Sequence, residues 1–554
     1  MSAPPAALQV PVPRRWTARD LWTTRVTTGV LLLAFAVFVL YPLLEIVARS
    51  FWKSGAFSWE HYVEFLQEPK LFQTVWNSLV VSSLSTVLTV VLAFGYAYVL
   101  THTRLWGRSF LWLVGLLPLI APSFVQALGL IFLFGRNGLV TRTLLGLDWN
   151  VYGPVGIVLG EVFYCFPHAL LVLYTSLSAV DASLYEAAQS LGARGWRVFW
   201  WVTVPSVRYA VAAASFLVFN LVVTDFGTPV VVGGDYRVLA TEIYTQVFGL
   251  QRFSMAAVVS VALLVPALAS FGLDGYFRRK AAATLTGQSR PYAYSPRGWG
   301  RLAAGAFAWG WAGFVLLVYG TLAAASLVRV WGYDWTLTLA HYRFDAVGVR
   351  EVLLRGLQLS GLAALCGALL SVVVAYVVHR LRPWGARLLY ALAVLPAAVP
   401  GTVVGLGYLF AFNKPPLVLV GTAGIIVLSY VFRFVTLGTL AASAALQQVD
   451  RSVEEAAQSL GASAVRTFVQ VVFPLLRVAF FSSAVYIFVR SMVTLSAVIF
   501  LIAPGLELPA TAVLTLTTDG KLSGAAALST LLVAVIGLVV AAARVVLRVP
   551  VVFR

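Results

Sequence analysis

Asp181-Ala-Ser-Leu-Tyr-Glu186-Ala-Ala-Gln-Ser-Leu-Gly192 runs on to Pro205, and the pattern returns as Asp450-Arg-Ser-Val-Glu-Glu455-Ala-Ala-Gln-Ser-Leu-Gly461, running on to Pro474. In both copies the glycine falls six residues after the glutamate and the proline nineteen after it. Counting from Val180 and from Val449, 17 of 31 positions are identical, far more than in the apolar runs on either side. Two polar segments held this alike must do one job twice, and their place in the chain decides what that job is.

The composition puts the chain in lipid. Of 554 residues 60% are hydrophobic and 11% charged, and the mean hydropathy is +0.89. A soluble protein has too few charges at this composition to cover its apolar surface. Twelve apolar runs are long enough to cross a 30 Å core: 27–48, 77–100, 109–134, 154–178, 209–230 and 254–275, then 302–328, 354–378, 386–411, 416–440, 478–502 and 525–548. Backbone groups in lipid must bond within their own segment, so the spans are helices, and the ten-residue alternation of an outer-membrane barrel is absent. The first run is too long for a cleaved signal core and is expected to be retained. Cys165 and Cys366 both lie in apolar runs, which argues against a disulfide framework or a thiolate metal site.

The net charge of +18 is mostly topology. With the N-terminus inside, the inner segments hold 24 of the 39 Lys and Arg, the outer ones 13, and Arg433 and Arg490 lie within spans. That asymmetry predicts both termini in the cytoplasm and argues against nucleic-acid binding. The chain is also a tandem repeat. Ala97-Tyr98-Val99 recurs at Ala375-Tyr376-Val377, Trp106-Gly107 at Trp384-Gly385, and Leu117-Pro118 with Pro122 at Leu395-Pro396 with Pro400, each 278 positions on. Glu186/Glu455 and Pro205/Pro474 are 269 apart, so the second half lacks about nine residues, taken from the loop Gly135–Gly153. Six helices per half is an even number, so the repeats are parallel. The expected halves are 1–285 and 286–554, with 281–300 (Gly287, Pro291, Pro296, Gly298) as the inner linker.

Both repeated segments then fall inside, between the fourth and fifth helices of their half. Ser183 with Glu186, and Ser452 with Glu455, have the spacing of a capping box that opens a short helix. Gly192 and Gly461 suit a left-handed C′ position, and Pro205 and Pro474 the first turn of the re-entering helix. Arg197/Arg466 and Arg208/Arg477 recur in register. A connector resting on lipid headgroups needs no fixed sequence. A cytosolic loop held more alike than the packed helices predicts two copies of one partner.

Glu-Ala-Ala, Gly at plus six, then Val-x-Val-Pro or Val-x-Phe-Pro at plus nineteen resembles the EAA loop of ABC importer permeases, here at 180–210 and 449–479. The family often has isoleucine and leucine before the proline, where this chain has Val202, Val204, Val471 and Phe473. The resemblance implies an all-α type I permease fold of about 12 helices, in the bacterial inner membrane. It implies that Glu186, Ala187, Ala188, Gly192 and Pro205, with Glu455, Ala456, Ala457, Gly461 and Pro474, couple to two copies of an ABC ATPase. It also implies an extracytoplasmic solute-binding protein. The chain has no Gly-x-x-x-x-Gly-Lys-[Ser/Thr]; Gly520-Lys521-Leu522 lacks the hydroxyl and the upstream glycine. No phosphate cradle means no nucleotide hydrolysis here, so the chain is expected to be no enzyme and to hold no cofactor, with ATP and magnesium on the partner. An ion-coupled secondary transporter also uses six-plus-six repeats but has no use for two EAA loops.

Ionisable and polar groups within spans mark the path: Glu161, Asn220, Thr224, Asp225, Arg433 and Arg490. The alternatives are that the charges pair with each other or snorkel, and that Asn220 and Thr224 only bridge helices. His168 beside Pro167 reads as a packing group, and no His/Asp/Glu set has chelating spacing. Two buried arginines suit an anion with paired oxygens, such as a phosphonate, better than a bare cation, and Glu161 and Asp225 could in turn meet an ammonium group. Thr224-Asp-Phe-Gly-Thr-Pro, Val238-Leu-Ala-Thr-Glu-Ile-Tyr and Val493-Thr-Leu-Ser-Ala-Val-Ile-Phe resemble the 2-aminoethylphosphonate and ferric iron permeases, among fused permeases that also include thiamine systems. The expected cargo is a 2-aminoethylphosphonate-type organophosphonate, with ferric iron or thiamine as alternatives.

Overall fold

The computed structural model describes residues 18–53, 55–284, 299–342 and 348–547. Of the expected linker 281–300, residues 281–284 still belong to the helix Phe253–Thr284 and 299–300 open the helix Trp299–Leu327, while 285–298, with the boundary at 285/286, lie outside the described residues. Among the described residues ten helices are long and apolar enough to cross a membrane. Two further pairs, bent by 114° and 73°, bring the number to twelve.

Several spans differ from their expected extents, and the causes are local. The run 109–134 is not one helix. Arg108–Leu116 ends in a 3-10 turn, Leu117–Ile120, and a new helix starts at Ser123. Its repeat partner breaks in the same place, with Ala386–Val394, a 3-10 turn Leu395–Ala397, and Gly401–Phe412. Pro118 and Pro396 remove a donor, and Pro122 and Pro400 hold the chain extended, with ψ of 152° and 145°, before each restart. Carbonyls at these breaks find side-chain donors, as apolar surroundings demand: Gln126 Nε2 donates to Pro118 O at 3.3 Å and Thr436 Oγ1 to Ala393 O at 2.8 Å. The tenth span is Ala423–Gln447, not 416–440, because Asn413–Lys414 and Leu417–Val418 pair as a small hairpin first. The fifth runs Trp196–Thr224, stops at Asp225 and resumes as Gly227–Val232; in the eleventh the helix Arg477–Val493 ends short of 502.

The first helix of each half packs on the other half. Asp20–Phe51 carries Phe38, which stacks on Phe432 with centroids 5.1 Å apart, and Glu45, whose Oε1 meets Lys414 Nζ at 2.7 Å. Pro42 cannot donate to Phe38 O four residues back, and Tyr408 Oη donates to it instead, at 2.7 Å. In the reciprocal contact Trp299–Leu327 lays Phe314 against Phe163, and Trp331 just beyond it donates from Nε1 to Phe132 O at 3.0 Å. The repeat-equivalent glycines Gly129 and Gly407 let these crossings close: a Cβ would lie 2.6 Å from Val318 Cγ1 in one and 2.8 Å from Pro42 O in the other. Gly407→Val is expected to destabilise the bundle by about 1–3 kcal/mol, since backbone cannot move aside as a side chain can. A lowered melting temperature in detergent, with Gly310→Val as the harmless control because nothing lies within 4 Å there, checks this.

Candidate functional site

The two repeated segments fold as matching elbows, Ala182–Ser190 and Arg451–Ser459. The expected caps are corrected: Asp181 Oδ1, not Ser183, accepts from Ser183 N at 2.9 Å, and Asp450 Oδ1 accepts from Ser452 N at 2.9 Å. The carboxylate two residues upstream reaches the orphan amides first and carries a charge suited to the helix N-terminus. The Ser452 N–H also holds the Asp450 carboxyl below the usual range. Each elbow ends in a Schellman turn. Gly192 (φ +83°) and Gly461 (φ +87°) are left-handed, with Gly192 N donating to Gln189 O and Ala193 N to Ala188 O, both at 2.9 Å. The second copy repeats this through Gly461 N to Gln458 O at 2.9 Å and Ala462 N to Ala457 O at 3.1 Å.

Beyond each elbow the chain re-enters through a π turn, Phe199–Thr203 or Phe468–Val472, which places Pro205 and Pro474 in the first turn of the helical segment that follows. Glu186, Ala187, Glu455 and Ala456 are exposed, and Ala188 and Ala457 half-buried. Sequence reasoning passed over Leu191 and Leu460, which stand 89% and 90% exposed at the two tips. Their identity and equal offset from the glutamate were the available signal. Asp20, at the start of the first helix, accepts from Ala464 N beside the second elbow, and His102, at the end of the second helix, meets Tyr185 of the first. Consecutive spans run in opposite directions, so both elbows lie at one end of the bundle.

Within the spans the structure gathers four of the six expected path residues. Glu161 is fully buried and faces Asp225. Its Oε2 lies 4.0 Å from Cys165 Sγ, and its Oε1 has no hydrogen-bond partner among the described residues. Asp225 accepts from Ser123 Oγ at 2.9 Å and from Thr228 N at 2.8 Å, which anchors the break in its own helix. Arg490 comes across from the other half and donates from Nη1 to Tyr164 Oη at 3.4 Å, within electrostatic range of Asp225. Arg433 lies beside Arg490 and against Gly401, where a Cβ would meet its Nη2 at 2.7 Å. Its Nε and Nη1 have no acceptor among the described residues.

Asn220 and Thr224 are used otherwise. Asn220 Oδ1 accepts from Ser270 Oγ at 3.2 Å, a bridge between helices, and Thr224 Oγ1 donates to Asn220 O at 2.7 Å. Tyr164, Ser123 and Thr228 were missed; Tyr164 is the repeat counterpart of Arg433, 269 positions away, which was the signal for it. Among the described residues no three His, Cys, Asp or Glu converge on one point.

The family profile for the inner membrane component of binding-protein-dependent transport systems matches residues 85–282 and again 367–548. Ferric transport system permease protein FbpB of Actinobacillus pleuropneumoniae is 32% identical over 522 residues, covering 92% of this chain and 76% of the relative. A putative ferric transport system permease FbpB 1 of Haemophilus influenzae is 33% identical over 490 residues, covering 85% and 77%. A solved bacterial ABC transporter that imports the acidic polysaccharide alginate aligns with 48% of this chain and 96% of its own, at 18% identity and a TM-score of 0.41. With the unit matched twice along one chain, this protein belongs to the family of binding-protein-dependent transport system inner membrane components and is a fused double permease of an ABC importer.

Proposed function

We propose that this permease carries ferric iron, delivered by an extracytoplasmic binding protein and driven by two copies of a separate ATPase that holds the ATP and magnesium. The observation that carries the coupling part is the pair of matching elbows at one end of the bundle, each tipped by an almost fully exposed leucine. A single exposed leucine is ordinary, but the same residue equally exposed at the same place on both elbows suits matching pockets on a repeated partner. With the ATPase as the partner, the elbows and both termini belong on the cytoplasmic side, a reading the arginine distribution supports. The halves 1–285 and 286–554 then each engage one ATPase subunit through Glu186 to Gly192 and Glu455 to Gly461.

The ferric transport names of the relatives support iron over the organophosphonate expected from the intramembrane charges and the motif resemblance. The cluster fits that cargo: Glu161, Asp225 and Tyr164 offer hard oxygen donors, which suit a trivalent cation better than nitrogen or sulfur does. Arg433 and Arg490 set positive charge against them, so the cargo is held weakly enough to leave, as any transport site requires. The chain is reconstituted in liposomes with its ATPase and an iron-loaded binding protein, and radiolabelled iron is followed. ATP-dependent, saturable iron uptake is expected, with no uptake of 2-aminoethylphosphonate presented by the same binding protein; the reverse selectivity would replace iron as the cargo.

A further inference from the structure

The two elbows are fastened to the membrane helices at the same place by different chemistry. In the first half His102 Nε2 shares a 3.0 Å hydrogen bond with Tyr185 Oη, and Tyr185 Oη donates to Thr203 Oγ1 at 3.3 Å. In the second half Arg380 Nε lies 2.8 Å from Glu454 Oε1 as an ion pair. Arg380 Nη2 also donates to Leu446 O at 2.9 Å and to Val449 O. His102 and Arg380 are 278 positions apart, and Tyr185 and Glu454 are 269 apart, the two offsets of the repeat. The packing around them is equivalent too. Tyr98 lies edge-on to Phe199 at 5.4 Å, and its counterpart Tyr376 meets Phe468 at 4.9 Å.

All four latch residues are shielded from water. His102, Tyr185 and Glu454 are 2%, 1% and 6% exposed, and the Arg380 side chain 9%. Both partners changed together between the halves, from a neutral pair to an ion pair, while the rest of each elbow stayed nearly identical. A contact retained through a change of chemistry is one whose geometry matters. We infer that His102–Tyr185 and Arg380–Glu454 are equivalent latches, positioning residues that lock each elbow to the end of the second helix of its half and pass ATPase movement into the bundle. The inference rests on the elbows' being the ATPase docking points.

The test uses the reconstituted permease–ATPase complex and reads how far iron-loaded binding protein stimulates ATP hydrolysis over the basal rate. Glu454→Gln keeps the shape and leaves no orphan anion. It is expected to keep ATPase co-purification and basal hydrolysis within about twofold of wild type, to lower the melting temperature without unfolding the bundle, since Arg380 loses its anion but keeps the carbonyls of Leu446 and Val449, and to cut the stimulation at least fivefold, since an elbow that docks but slips cannot report the binding protein. Tyr185→Phe, which removes one hydroxyl, is expected to cut it two- to threefold. The transplant Arg380→His with Glu454→Tyr, which installs the first latch in the second half, is expected to recover at least half of the stimulation. Unchanged stimulation in Glu454→Gln and Tyr185→Phe overturns the latch, as does a transplant no better than Glu454→Gln. Loss of co-purification in the wild type would instead count against the docking assignment, and absent stimulation in the wild type against the cargo.

Discussion

Valine at both Gly192 and Gly461 is expected to strip the ATPase from the permease while leaving the bundle folded. Both glycines have φ above +80°, and at Gly192 nothing lies within 4 Å of where a Cβ would stand, so the effect there is conformational rather than steric crowding. A left-handed β-branched residue costs of order 1–2 kcal/mol, so each elbow loses its Schellman turn and swings its leucine tip away from the docked position. With two elbows engaged at once, the losses combine, and co-purified ATPase should fall at least tenfold, about 1.4 kcal/mol or more of binding. Asparagine, which tolerates the left-handed region, should retain most of it. Wild-type ATPase content in the valine pair, measured on complexes that melt normally, would refute the docking role.

Asp225→Asn should abolish most uptake without touching the ATPase. Asparagine keeps one oxygen for Thr228 N and turns its amide N–H toward the Ser123 hydroxyl, which can accept, but it removes the negative charge that faces Arg490, in a region where an uncompensated buried charge costs about 3–5 kcal/mol. The cluster relaxes toward excess positive charge, which repels a cationic cargo, and uptake should drop at least tenfold with ATPase co-purification unchanged. Asn220→Ala makes the contrast: it loses one bridge to Ser270, worth about 1 kcal/mol, and should change uptake less than about twofold. Equal losses in the two variants would show that the charge cluster has no special place on the path.

Much of this was readable because lipid leaves the backbone few choices. Span number, the parallel repeat, the left-handed glycines and the re-entry prolines all follow from short-range rules, and the structure places them as those rules require. The breaks at Pro118–Pro122 and Pro396–Pro400 lie in the quoted repeat, yet each run reads as one uninterrupted span, since hydropathy averages over two short helices as readily as over one long one. The caps went to Asp181 and Asp450 because two acceptors competed for the same amides, and spacing alone does not rank them. The charges alone suit a zwitterionic phosphonate, with the arginines on its oxygens and Glu161 and Asp225 on its ammonium; spacing does not record that Arg490 meets Tyr164 and faces Asp225 instead.

The sequence by itself determined the elbows, their glycines and prolines, the two-fold plan and the absence of a nucleotide cradle, all of which are set by residues within one turn of each other or by total apolar length. Only the tertiary structure decided what meets across the halves: the exchange of first helices, the pairing of Tyr164 with Arg490 from 326 residues away, and the two latches. Those contacts depend on how side chains from distant segments fill shared space, and no local periodicity records that.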